Sequence, residues 1–274
     1  MEFWNNIYEQ FNPVAFHIFS IPVHWYGIMY VLALLSALYL GKFFIKHDKI
    51  DLGKTNLDIY FLYVEIGVIL GARLGYILFY DTQTLYYFTN PWEIFNPFRD
   101  GEFVGIRGMS YHGAVAGFVL GTYLYAKRNK VSFGKLMDLV ALSIPLAFIF
   151  GRIGNFLNQE LIGRETDVSW GIYVDGILRH PSQLYEAILE GLGVFIVVYI
   201  YRNYKKFSGE LALIYGISYG IFRAIAEIYR APDAQIGYLC CDAITQGQVM
   251  SLAMSLLGVI LWIYFYAQSK KIKV

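Results

Sequence analysis

Seven stretches of the chain are apolar over about the 20 residues that a helix needs to cross a bilayer, and polar residues collect in the gaps between them. They run approximately Trp25–Phe44, Leu57–Tyr80, Met109–Ala126, Leu136–Phe156, Leu184–Tyr201, Leu211–Tyr229 and Val249–Tyr266. The pattern predicts an all-α polytopic membrane protein. Residues 1–274 form a single integral membrane domain, with no separate soluble domain, low-complexity linker or internal repeat. Between the second and third spans, residues 81–108 read as an outer arm. Its aromatic residues, polar residues and prolines are types that settle at the headgroup level of a membrane. Glycines recur at every fourth residue at Gly67, Gly71 and Gly75, at Gly113, Gly117 and Gly121, and at Gly216 and Gly220. In lipid this spacing lets helix backbones approach closely, so helix packing is their expected role.

Basic residues orient the spans. Lys42, Lys46, Lys49 and Lys54 follow the first span, and Lys127, Arg128, Lys130 and Lys135 separate the third from the fourth. Arg202, Lys205 and Lys206 follow the fifth, and Lys270, Lys271 and Lys273 end the chain. The opposite side holds Arg99, Arg107, Arg164, Arg179 and Arg230. By the positive-inside rule the N-terminus is outside and the C-terminus cytoplasmic, as an odd number of spans also requires. The N-terminal stretch MEFWNNIYEQFNPVAF has no basic region and no small-residue cleavage site, so the first apolar run is expected to remain a span. Composition adds weight to this picture: 57% of residues are hydrophobic, 18% aromatic and only 16% charged, against about 25% charged in soluble domains. Cys240 and Cys241 are adjacent, where a disulfide would be strained. They read as structural residues.

Charges inside a bilayer are costly, which makes each one a candidate for function. On this topology Arg152 and Asn155 lie at the outer end of the fourth span. Tyr219, Arg223 and Glu227 follow one another at four-residue spacing along one face of the sixth. His112 opens the third span from outside, Tyr26 opens the first, and Arg73 lies in the outer half of the second. Five helices thus bring polar groups to one level, around a cationic centre of Arg152 and Arg223. The planar fork of arginine suits a phosphate, so the cluster reads as a site for an anion arriving from the lipid. Arg73 with Glu65, or Arg223 with Glu227, could equally be ion pairs that lock helices, and a lone outer arginine can reach up to headgroups. In RHPSQLYEA, Arg179–Ala187, Pro181 with Glu186 and Glu190 is adequately explained as the start of a helix. Arg230 is assigned to an outer loop. No metal-ligand cluster, nucleophile elbow or phosphate loop is visible, and no metal, cofactor or nucleic acid is expected.

GRIGNFLNQELIGRE, Gly151–Glu165, resembles the signature of the bacterial prolipoprotein diacylglyceryl transferases. HWYGIMY, SYHGAVAG, HPSQLYEA and YGIFRAIAEIYRAPDAQIG resemble further blocks of that family, in the family's order across nearly the whole chain. The resemblance implies an enzyme of the bacterial cytoplasmic (inner) membrane with its site toward the outer leaflet. Its reaction moves the diacylglyceryl group of phosphatidylglycerol onto the lipobox cysteine of a prolipoprotein, forming a thioether and releasing glycerol phosphate. The substrate brings its own nucleophile. Arg152 matches the signature arginine that binds the lipid phosphate, with Asn155, Glu160 and Gly163 as further lipid-binding positions. Arg223 matches a second essential arginine, with Tyr219 and Glu227 beside it; His112 matches the histidine proposed as base, and Tyr26 the first-span tyrosine. Whether His112 or a tyrosine is the base stays open. The competing readings are a lipid-binding or transport protein using the same arginines, and a different lipid transferase. A transporter favours polar groups at the midplane and repeated halves, and neither pattern is present.

Overall fold

A computed structural model describes residues 2–19, 21–53, 56–82, 84–99, 102–103, 105, 108–232, 237–240 and 244–271. Lys54, Arg107, Lys273 and Cys241 lie outside the described residues. The fold is mostly helical. Two short helices, α1 (Glu2–Asn5) and α2 (Ile7–Gln10), lead into a two-stranded ribbon, β1 (Val14–Ile18) and β2 (Ile21–His24). The long helices α3 (Trp25–His47) and α4 (Leu57–Phe79) follow, then α5 (Thr84–Thr89), a single 3-10 turn at Pro91–Phe95 and the ribbon β3 (Phe98–Arg99) and β4 (Glu102–Phe103). Helices α6 (Tyr111–Asn129) and α7 (Phe133–Leu157) precede the ribbon β5 (Ile172–Val174) and β6 (Ile177–Arg179). The chain then forms α8 (Ser182–Tyr204), α9 (Glu210–Ala226), the ribbon β7 (Tyr238–Cys240) and β8 (Ile244–Thr245), and α10 (Gln246–Lys271).

All seven expected spans are helical, but the chain is not entirely α: among the described residues, four antiparallel two-stranded ribbons lie in the connections. Among the described residues, five helices, α3, α4, α7, α8 and α10, are long and apolar enough to cross a membrane. Side chains such as Leu35, Leu62, Leu252 and Ile263 stand exposed on them, as suits a multi-pass protein whose solvent is lipid. The remaining two are less emphatic. Helix α6 carries a histidine, a threonine and three glycines among its 19 residues. Helix α9 has 17 residues, about 26 Å of rise against a hydrocarbon core of about 30 Å.

The chain divides into two compact units, residues 1–50 with 137–274, and residues 51–136. In the second unit, α4 and α6 pack along their glycine rows. A Cβ on Gly117 would overlap the Gly67 carbonyl, and one on Gly113 the Gly71 carbonyl. Packing is therefore the role of these glycines, as expected. Asn56 caps α4, accepting from the backbone N–H groups of Asp58 and Ile59, and Ser110 caps α6 by accepting from Gly113. Arg73 is buried on α4 and donates to the carbonyls of Ile94 (2.5 Å) and Gly108 (3.2 Å). It fastens the aromatic segment to its helix, which corrects the expected pairing with Glu65. Two helical turns, about 12 Å of rise, separate those two residues.

In the first unit, Gly220 of α9 meets Ser255 and the Ser251 carbonyl of α10, whereas Gly216 faces no atom within 4 Å, so only one of the two is a packing glycine. At the far end of α9 from Arg223, the buried Asp138 carboxylate accepts from Lys205 Nζ (3.1 Å) and from the backbone N–H groups of Gly209 and Leu211 (2.8 Å each). Glu210 accepts from Tyr201 Oη (2.7 Å), Trp262 Nε1 (2.9 Å) and the Lys206 backbone. These carboxylates satisfy the free N–H groups of the helix start and tie α7, α8, α9 and α10 together.

Candidate active site

The densest polar cluster of the first unit is built by four elements. Helix α7 supplies Arg152 and Asn155 near its C-terminal end, and the turn that follows supplies Glu160. Helix α8 contributes Glu186 and Glu190. Helix α9 contributes Arg223, with Glu227 and Arg230 just beyond. Arg152 Nε lies 3.0 Å from Glu186 Oε2, and its Nη2 lies 3.4 Å from Glu190 Oε2. Arg223 Nη1 lies 2.9 Å from Glu186 Oε1 and 3.1 Å from Glu190 Oε1, while its Nη2 lies 2.6 Å from Glu227 Oε2. The two arginines, from different helices, are thus held by the same two carboxylates, both fully buried.

Three expectations change here. Glu186 and Glu190 are not merely helix-start residues: each grips both arginines. The spacing put them on one face of an apolar helix, and two carboxylates there need partners, which was the signal in the sequence. Arg230 is not a free loop arginine, because its Nη1 lies 3.6 Å from Glu186 and its side chain is 12% exposed. The centre is also not cationic. Arg152, Arg223 and Arg230 face the carboxyl groups of Glu186, Glu190 and Glu227. Low dielectric makes such pairs necessary, since an unpaired buried charge is far more costly than a paired one.

Helix α8 winds as a π-helix over Ala187–Gly193, the stretch that carries Glu190. Single π turns of this kind concentrate at functional sites. Arg152 also donates from Nη1 to Asn155 Oδ1 (3.3 Å) and lies over the Phe148 ring, 4.6 Å from its centroid. Tyr219, one turn before Arg223, meets the same Phe148 ring edge-on at 5.9 Å. Tyr26 opens α3 and packs against Gly154 of α7, its Cδ2 3.2 Å from where a Cβ would stand. Asn155 Nδ2 donates to Glu160 Oε1 (2.6 Å) and Asn158 Nδ2 to Glu160 Oε2 (3.1 Å).

The polar run after α7 is threaded between two other segments. Gly163 bridges to Arg230, and Arg164 N donates to the Tyr229 carbonyl while its own carbonyl accepts from His180 N. A Cβ at Gly163 would overlap the His180 carbonyl, so no larger residue fits. Arg164 further donates to the carbonyls of Arg230 (2.9 Å) and Glu227 (3.3 Å), closing the C-terminal end of α9. His180 faces the Tyr185 hydroxyl at 3.2 Å, and burial pushes its pKa down against the opposing charge of Asp167. It belongs to the loop's support. Of the sequence-derived residues, Arg152, Asn155, Glu160, Gly163, Tyr26, Tyr219, Arg223 and Glu227 fall in this unit. His112 belongs to the other unit, at the first turn of α6, where its Nδ1 lies 3.4 Å from Tyr80 Oη.

A sequence model of the family described as prolipoprotein diacylglyceryl transferase matches residues 13–264. The phosphatidylglycerol–prolipoprotein diacylglyceryl transferase of Campylobacter lari is 60% identical to this chain, over 99% of each chain. That of Aliarcobacter butzleri is 58% identical over 99% of this chain and 98% of its own, and that of Campylobacter jejuni serotype O:23/36 is 58% identical over the whole of both. With a match that spans nearly every span and loop, including the arginine–glutamate cluster, the chain belongs to the prolipoprotein diacylglyceryl transferase family.

Proposed function

We propose that the chain transfers the diacylglyceryl group of phosphatidylglycerol to the lipobox cysteine of a prolipoprotein, and that Arg152 and Arg223 hold the phosphate that leaves. The observation that carries this reading is the joining of two guanidinium groups from separate helices through Glu186 and Glu190. Each arginine has five N–H donors and makes three polar side-chain contacts. Donors remain for an anion, and the carboxylates fix the direction in which they point. In the reaction the cysteine sulfur attacks the glycerol carbon that carries the phosphate ester. A C–S bond forms, the C–O bond breaks, and glycerol phosphate leaves with the electron pair. Preorganised donors that meet this developing charge lower the barrier.

The attacking group must be a thiolate, a minority species for a thiol of pKa about 8.5. His112 is the group we assign to take that proton, with Tyr26, Tyr219 and Glu227 completing the catalytic set. Asn155, Glu160 and Gly163 support Arg152 in lipid binding. We place the protein in the bacterial cytoplasmic membrane as one seven-span domain, N-terminus outside and C-terminus inside, with the site at the outer leaflet. The alternation of basic residues along the chain supports that orientation. The test is to incubate purified protein with phosphatidylglycerol and a lipobox peptide. The peptide should gain one diacylglyceryl thioether for each glycerol phosphate released, and a serine-substituted peptide should gain none. Lipid binding without either product would overturn the reading.

A further inference from the structure

The N-terminal helices precede the residues that match the family model, yet they touch the signature turn at several points. Gln159 Nε2 donates to the carbonyls of Tyr8 (3.0 Å) and Phe11 (3.1 Å). The buried Tyr8 packs its ring on Phe156 at 5.2 Å, and its hydroxyl accepts from Gln183 Nε2 (3.3 Å). That same nitrogen donates to the Glu160 carbonyl (2.5 Å). Trp4 also stacks on Phe156 at 5.9 Å and donates to the Trp170 carbonyl, while Asn5 Nδ2 donates to those of Ser169 and Gly171.

The turn held in this way is strained. Gln159 and Leu161, on either side of Glu160, both adopt a φ of 57°, in the left-handed region that non-glycine residues rarely occupy. Such conformations persist only where the surroundings over-determine them. Between the two strained residues, Glu160 is aimed at Asn155, and Asn155 in turn at Arg152. Gln183 lies three residues before Glu186 on α8, so the Tyr8 contact also joins this turn to the helix that carries the paired carboxylates.

We infer that Tyr8, together with Trp4 and Asn5, is a positioning element of the transferase site, acting through the Gln159 clasp and the strained turn to hold Glu160 against Asn155 and Arg152. The inference rests on the function proposed above. The experiment is a double-mutant cycle of Tyr8→Ala with Glu160→Gln, measuring kcat per folded protein for transfer from phosphatidylglycerol to a lipobox peptide. Tyr8→Ala should lower kcat about tenfold and leave KM for the peptide unchanged. It should add little to the loss already caused by Glu160→Gln, because residues acting through one network do not give additive effects. Tyr8→Phe, which keeps the ring on Phe156 and loses only the hydroxyl, should recover most of the rate. Gln159→Ala breaks the clasp while leaving the Tyr8–Phe156 packing in place; it should reproduce the Tyr8→Ala result and serves if that variant does not fold. Phe3→Ala, at a position 67% exposed, should change nothing. Unchanged kcat in Tyr8→Ala and Gln159→Ala, or losses that multiply with that of Glu160→Gln, would overturn the inference while the wild-type transfer left the function standing. No transfer by wild-type protein would instead remove the functional reading itself.

Discussion

At the scale of single residues, the site turns on the difference between charge and shape. Arg152 engages Glu186 through Nε and Glu190 through Nη2, and Arg223 engages Glu186 and Glu190 through Nη1 and Glu227 through Nη2, a geometry that the point charge of lysine cannot reproduce. A hydrogen bond to a charged group is worth about 1.5–3 kcal/mol, so losing one aimed at the leaving phosphate corresponds to roughly a ten- to hundred-fold fall in rate. Arg152→Lys and Arg223→Lys should each lose transfer by that much or more, with the protein still folded in membranes; near-normal rates would make both arginines helix ties. Arg230 cannot serve as a neutral control, since it lies beside Glu186. Glu165, 70% exposed, is the better position. Removing the shared partner is a different experiment. Glu186→Ala leaves up to three arginines short of an anion, and breaking a buried pair costs about 3–5 kcal/mol. A clear fall in the thermal midpoint in detergent is expected, and an unchanged midpoint would show the carboxylate to be dispensable to the fold.

At the scale of elements, what the sequence made legible follows from what each signal measures. Long apolar runs located seven helices to within a few residues, and five of those, among the described residues, are long and apolar enough to cross a membrane, where a chain must satisfy its backbone internally. The four ribbons were not legible. Strands of two to five residues are too short to show alternation, and the hairpin signals lie only in the Asp–Gly dipeptides at positions 100–101 and 175–176, the second with both residues at positive φ. Glycine spacing was right for α4 and α6 and half right for α9, because spacing reports a face and not what stands opposite it. This difference gives a prediction. Gly117→Val must push a side chain into the Gly67 carbonyl, and overpacking of this kind costs about 1–3 kcal/mol. Gly216→Ala meets no atom within 4 Å, and by helix propensity it should be neutral or mildly stabilising. Unfolding curves of the two variants in detergent should separate in that order. Equal stability would mean that the α4–α6 contact contributes little.

At the scale of the whole molecule, depth decides whether these residues can share one reaction. The site was legible in part: Arg152, Asn155, Glu160 and Arg223 are brought together, whereas Glu186 and Glu190 were read as a helix start because a residue's local context does not reveal a partner 33 to 38 positions away. Orientation, by contrast, is a property that basic residues report directly. Lys127, Arg128 and Lys130 cluster at the C-terminal end of α6, just before α7. Arg152 is on the last turns of α7, about 27 Å further along the helix axis than Gly134 by rise alone. If α7 crosses the membrane from inside to outside, the arginine cluster necessarily lies at the outer leaflet, where a lipobox peptide delivered across the membrane can reach it. Reporter fusions after Lys130 and after Thr166 should therefore give opposite locations, cytoplasmic for the first and external for the second. If both report the same side, α7 does not span, and the cluster loses the position that the proposed chemistry requires. If the two locations are opposite but exchanged, the helix spans in the reverse sense. The arginines would then face the cytoplasm, and a substrate arriving from outside could not be theirs.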